Sequence, residues 1–469
     1  MDETSPNVVF TSDEEQPSTF HEAKELLVLG GPVIFTLLLE VLPSTTNMVL
    51  VSHLSGDAKE FVDAASLSGM YINITALSVG FGMATAMDTI FNQAFGAKDT
   101  KRFGVYLQSA LIGMALTFIP VFFLNWFCQQ IMLGLGQDPK LAELTGDFTR
   151  ISLIGIPFMY VYEIVKKALQ AYSIVNPMVI LAFVSNCIHI GLGYYLVHHT
   201  YLGFYGAAVA RATSSASLPL MILIFFWRKP IHHEWIFART IKSAAEELGA
   251  FFRYGIPGML MIVIEWGAFE VLTLLSGVMS NPTVKVGIMS ILTQLFSIVY
   301  LVYMGLSIAA TIRIGSALGS NNPEHAKLVC KVVFGIAAIF LTITTLLLLL
   351  LRHNLPRLFI RDDEIIILTS NMLLWAIGSH VFDGINAVYH GVFFAMSAQT
   401  KATIINAIAF YIIGIPLAVV FGFPCGWEVK GLWVGFTCGS ITCLVFYSVW
   451  LSRINWKTAA ATICAEYQQ

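Results

Sequence analysis

Two glutamates, Glu40 and Glu265, stand inside long apolar runs, about 14 and 11 residues from where those runs begin. At 1.5 Å per helical residue both reach the middle of a bilayer. A charge there costs about 2.5–3.5 kcal/mol on insertion scales, so such groups usually face a cavity and act in it. Facing carboxylates attract an organic cation, and protons compete with that cation for the same oxygens. That competition is what antiport requires. Glu270 follows Glu265 by five residues, about 140° around a helix, which points it to a second position nearer the outside. Asp383 has His380 three residues before it and His390 seven after, roughly one helical stripe. The stripe suits proton transfer or cation binding, and a satisfied polar helix face fits it equally well. Asn386 and Gln294 offer neutral hydrogen bonds in the same half. Trp266 and Phe269, beside Glu265, offer flat surfaces for a cation. Glu163 has Lys166 and Lys167 at i+3 and i+4, the spacing of a local ion pair near the inner surface.

The residues around these groups set the class of the molecule. Of 469 residues 57% are hydrophobic and 12% charged, and mean hydropathy is +0.74. Soluble chains carry roughly 25% charged residues. With 26 Lys+Arg against 29 Asp+Glu there is no basic excess to hold nucleic-acid phosphates. Twelve apolar segments of bilayer-crossing length run from about 26 to 451. An even number puts both termini on one side, and Lys and Arg favour the loops of that side about two to one, which marks it as cytoplasmic. Residues 1–24 are expected to form a disordered cytoplasmic tail, and 454–469 a second cytoplasmic tail.

The twelve segments divide into two sets of six. Pro32 with Glu40 recurs as Pro257 with Glu265, GFGMATA at Gly80 as GLSIAAT at Gly305, and GAAVARA at Gly206 as GLWVGFT at Gly431. Each pair is 225 residues apart, the mark of an internal duplication. The expected architecture is all-α and membrane-integral: an N-terminal lobe over 25–228, a cytoplasmic linker over 229–253 and a C-terminal lobe over 254–453. With six spans each, the lobes are parallel repeats about an axis along the membrane normal, and a substrate site lies between them. Asp88 and Arg313 also lie 225 apart with opposite charges. They are expected to meet when the cytoplasmic gate shuts. Pro43, one turn beyond Glu40, is expected to bend its span.

No GxxxxGK[ST], HExxH, GxSxG or paired Cys/His spacing occurs. The seven cysteines mostly sit in apolar runs and read as small buried hydrophobes. A membrane-embedded enzyme is therefore disfavoured, and no cofactor or metal is expected.

At this point the sequence resembles the multidrug and toxic compound extrusion (MATE) family, particularly its eukaryotic branch. The matching stretches are VSHLSGD, MDTIFNQAFGAKDTKRFGVYLQSA, IEWGAFEVLTLLSGVMSNP, VYMGLSIAATIRIGSALGSNNPEHAK, FDGINAVYHGV and YIIGIPLAVVFGF with KGLWVGFTCG. The resemblance implies the MATE fold of its superfamily, twelve helices in two pseudo-symmetric lobes. It implies a monomeric proton-coupled antiporter that expels organic cations, drugs or metabolites from the plasma membrane or an organellar one such as the vacuole. Carried over by position, it points to Glu265, Glu270 and Asp383. Gln294 stands where some relatives have a carboxylate, and Asn47 near a first-lobe aspartate of bacterial relatives. Sodium coupling and a lipid-linked flippase of the same superfamily are the competing readings. The flippase would call for a basic cavity.

Overall fold

The computed structural model describes residues 18–468 apart from 53, 55–57, 236 and 238–240. The acidic segment before Ser18, part of VSHLSGD and Arg239 therefore lie outside the described residues. Twelve helical spans follow one another: α1 (Thr19–Ser52), α2 (Lys59–Gly96), α3 (Thr100–Trp126), α4 (Pro139–Leu153 with Ile156–Ala171, bent by 46°), α5 (Asn176–His199) and α6 (Phe204–Arg228). The second set is α7 (Leu248–Gly277), α8 (Pro282–Gly319), α9 (Pro323–Leu351), α10 (Asp363–Ala395), α11 (Gln399–Gly422) and α12 (Glu428–Ser452). Eleven qualify as spans alone and the bent pair makes the twelfth. A last helix, α13 (Trp456–Gln468), occupies the expected C-terminal tail, with Ala460 and Ile463 buried.

Polar caps recur at matching starts in the two halves. Asp99 accepts the Arg102 N–H before α3, and Asn322 accepts that of His325 before α9. Asp138 and Asp362 do the same before α4 and α10. Each half thus supplies its own stop and start signals, as a duplicated unit must.

The lobes meet at the side that holds the termini. There the repeat-equivalent helices α2 and α8 touch backbone to backbone. A Cβ added at Gly96 would run into the Ser316 carbonyl, and one at Gly319 into that of Gln93. Only glycine leaves room for this crossing. Around it, Thr89 donates to the Phe394 carbonyl (2.6 Å) and Gln93 to that of Ala395 (2.9 Å). Leu26, Leu29 and Val33 of α1 join the apolar core of α8 and α9 on the same side. The described side-chain bonds between the lobes gather here, so the molecule is closed at the terminal end.

α1 starts five residues before the predicted end of the N-terminal tail, and Glu22 in its first turn is fully buried. The 229–253 linker is also partly helical, with Ile241–Glu246 and the start of α7 inside it.

Candidate functional site

Glu265 projects from α7 into the C-terminal lobe and is 3% exposed. Tyr300 of α8 donates to its Oε1 (3.3 Å), and His390 Nδ1 of α10 lies 3.7 Å from its Oε2. His390 continues to the Tyr447 hydroxyl (3.3 Å), which bonds Asn406 Oδ1. Asp383 is buried beside this chain, and its Oδ1 has no hydrogen-bond partner. Phe269, Phe296, Tyr300, Tyr303, Trp433 and Phe436 wall a pocket onto which Asp383 and His380 open. Among the described residues no Lys or Arg lies within ion-pairing distance of Glu265 or Asp383. Two buried acids without a lysine or arginine partner, one beside a histidine and the other opening onto aromatic rings, can be neutralised by protons or by a bound cation.

The other predicted residues separate. The His380–Asp383–His390 stripe does not form a hydrogen-bonded relay: His380 turns to Thr344 (3.0 Å) and Tyr303 (3.4 Å), whereas His390 turns to Glu265. Asn386 donates to the Ser440 carbonyl (3.0 Å) and ties α10 to α12. Gln294 is exposed, with no hydrogen bond to this group. Glu270 is half-buried on another face of α7, as its helical offset requires. Trp266 is 38% exposed and points away from the pocket, so the weight placed on it is misplaced. Phe269, four residues from Glu265, shares its face and packs on Phe436 at 4.4 Å.

The expected symmetry of Glu40 and Glu265 fails for a physical reason. Lys166 on α4 lies inside the lobe, 4% exposed, and binds both oxygens of Glu40 at 2.8 and 3.0 Å. The same ammonium takes Glu163 at 2.5 Å, the local pair expected from sequence, and Tyr162 donates to Glu40 (3.1 Å). Lys167 does not share that pair; it binds Asp88 at 2.8 Å. Glu40, Glu163 and Asp88 therefore each have an ammonium partner, while Glu265 and Asp383 have none.

Asp88 and Arg313 also fail to meet, although the lobes are closed where both stand. Asp88 is neutralised within its lobe by Lys167. Arg313 instead forms a two-pronged ion pair with Glu22 (2.8 and 2.7 Å), to which His325 adds a third contact (2.9 Å). Glu22 belongs to α1, and its partners to α8 and α9, so the charged latch between the lobes is real but has a different acid. Sequence reading missed Glu22 because it fell in the assigned tail. Glu22→Gln is expected to loosen this latch. Labelling of a cysteine at the interfacial Asn92 by a soluble maleimide should rise about tenfold, the worth of a charged hydrogen bond.

The MatE family matches the chain twice, at residues 32–195 and 257–420, again 225 apart. The chain is 31% identical to multidrug and toxin extrusion protein 2 of Mus musculus over 449 residues, which are 95% of this chain and 76% of that one. It is 32% identical to multidrug and toxin extrusion protein 1 of Homo sapiens, over 93% of this chain and 76% of that one. The crystal structure of the eukaryotic MATE transporter AtDTX14 superposes with a TM-score of 0.90 at 27% identity, covering 96% and 99% of the two chains. An outward-facing multidrug resistance MATE transporter shares the fold at a TM-score of 0.80 and 16% identity, covering 96% and 99%. With twelve spans in two repeats and a pocket buried in one of them, the chain belongs to the MatE family of multidrug and toxin extrusion transporters.

Proposed function

We propose that the chain is a secondary antiporter that exports organic cations or metabolites in exchange for protons, by alternate opening of its two lobes. The observation that carries this reading is the imbalance between the lobes: Glu40, Glu163 and Asp88 of the N-terminal lobe are held by lysines, whereas Glu265 and Asp383, buried in the C-terminal lobe, have no lysine or arginine partner among the described residues. Protons arriving at these carboxylates displace a cation, and the cation displaces protons. The two acids carry the exchange in this reading, and the rings beside Asp383 offer flat surfaces to the cargo once the lobes open. In this reading the terminal side faces the cytoplasm, in line with its Lys and Arg excess, and the state described here is closed to the cytoplasm.

The test is uptake of a fluorescent organic cation into proteoliposomes. An imposed pH gradient, acidic inside, is expected to drive accumulation in sodium-free buffer. Accumulation that appears only with a sodium gradient would overturn proton coupling and favour the sodium-coupled alternative.

A further inference from the structure

Arg211 lies in α6 and makes one described hydrogen bond, to the Ser44 hydroxyl of α1 at 3.4 Å. Among the described residues no carboxylate lies within ion-pairing distance of it. The interior of this lobe nevertheless holds three acids, Glu40, Asp88 and Glu163, for three bases, Lys166, Lys167 and Arg211. The pairing is unequal: Lys166 takes two acids, Lys167 takes one, and Arg211 takes none. Glu40 stands four residues before Ser44 on the same face of α1, one turn from the guanidinium, yet both its oxygens are on Lys166.

Two further features point to a ligand there. Arg211, Ser44 and Glu40 keep partial exposure while Lys166, His189 and Asn47 are buried. On the next turn of the same α1 face, Asn47 Oδ1 bonds Nε2 of the fully buried His189 (3.0 Å), whose Nδ1 is left without a partner. An arginine fork has five N–H donors and fits an oxyanion with two parallel bonds. One long contact to a hydroxyl leaves nearly all of that capacity unused in a setting where an uncompensated charge is costly.

We propose that Arg211 and Ser44 form an anion subsite in the N-terminal lobe. It takes the carboxylate of an amphoteric substrate whose cationic end lies against the acids of the other lobe, or a free inorganic anion such as chloride. For the cationic end alone this rests on the export reading above. The two lobes then differ in sign as well as in sequence, one offering buried acids without a lysine or arginine partner and the other an arginine without a carboxylate partner.

Tetramethylrhodamine and its methyl ester test this, because they share a cation and differ in one carboxylate. Binding of each dye to the purified full chain is read by fluorescence anisotropy in gluconate and in chloride buffer. Arg211→Gln is expected to weaken binding of the carboxylate dye about tenfold and leave the ester unchanged, with Ser44→Ala shifting the same way by less. Chloride that tightens ester binding in the wild type, and not in Arg211→Gln, assigns the subsite to a free anion. Equal losses for both dyes, or no change in either dye and no response to chloride, would overturn the subsite. A wild type that binds the acid dye through Arg211 but fails to transport the ester would overturn the export reading and leave the subsite standing. Should Arg211→Gln not fold, Arg211→Lys and Ser44→Ala carry the same comparison.

Discussion

Glu265→Gln is expected to bring proton-driven accumulation of an organic cation down to the level of protein-free vesicles while the chain remains folded. Glutamine keeps the size of the side chain and can still accept from Tyr300, so the pocket walls stay in place. What it removes is the exchangeable proton and the negative charge, the two properties the exchange depends on. Glutamate also cannot be replaced by its neighbours on the helix. Trp266 points away, and Glu270 lies on another face. Undiminished accumulation in Glu265→Gln would remove this residue from the mechanism.

Lys166→Met is expected to have the opposite character, a large loss of stability. Methionine fills similar space but leaves Glu40 and Glu163 without their shared ammonium. Removing one member of a buried ion pair typically costs about 3–5 kcal/mol, because the remaining charge is stranded. Thermal melting of the purified protein in detergent should show a marked drop. Adding Glu40→Gln and Glu163→Gln to Lys166→Met should recover most of it, since three neutral side chains then pack where three charges did. A Lys166→Met protein that melts at the wild-type temperature would show that the network contributes little. The contrast matters for the proposed exchange: the acids of one lobe are held by lysines, and those of the other have no lysine or arginine partner.

Much of the architecture was legible because it is written in local patterns. Apolar runs of bilayer length give the spans, and the 225-residue offset gives the two repeats. The acids Glu265 and Asp383 stood out for the same reason, as polar groups inside apolar helices. Partners were harder. Whether Glu40 meets Glu265 or Lys166 depends on how α4 rotates against α1, which no spacing within either helix reveals. Lys166 and Lys167 are neighbours in the chain yet serve different acids on different helices. Arg313 found Glu22 rather than Asp88 because α1 begins earlier than its hydropathy suggested and carries a buried acid into the interface. One error was avoidable. Phe269 is four residues from Glu265 and Trp266 is one, so helical periodicity alone favours Phe269 as the ring that shares the glutamate's face. Tyr300 and Tyr303 carried a similar signal, as hydroxyls one turn apart within an apolar run.

The sharpest single measurement is the number of protons released when a cation binds. Purified protein in weakly buffered solution with a pH-sensitive dye is titrated with a saturating organic cation. The wild type should release protons as the cation takes their place at Glu265 and Asp383, and the Glu265→Gln, Asp383→Asn double variant should release none. Binding by the wild type with no proton release, or equal release from the double variant, would contradict the exchange at its root.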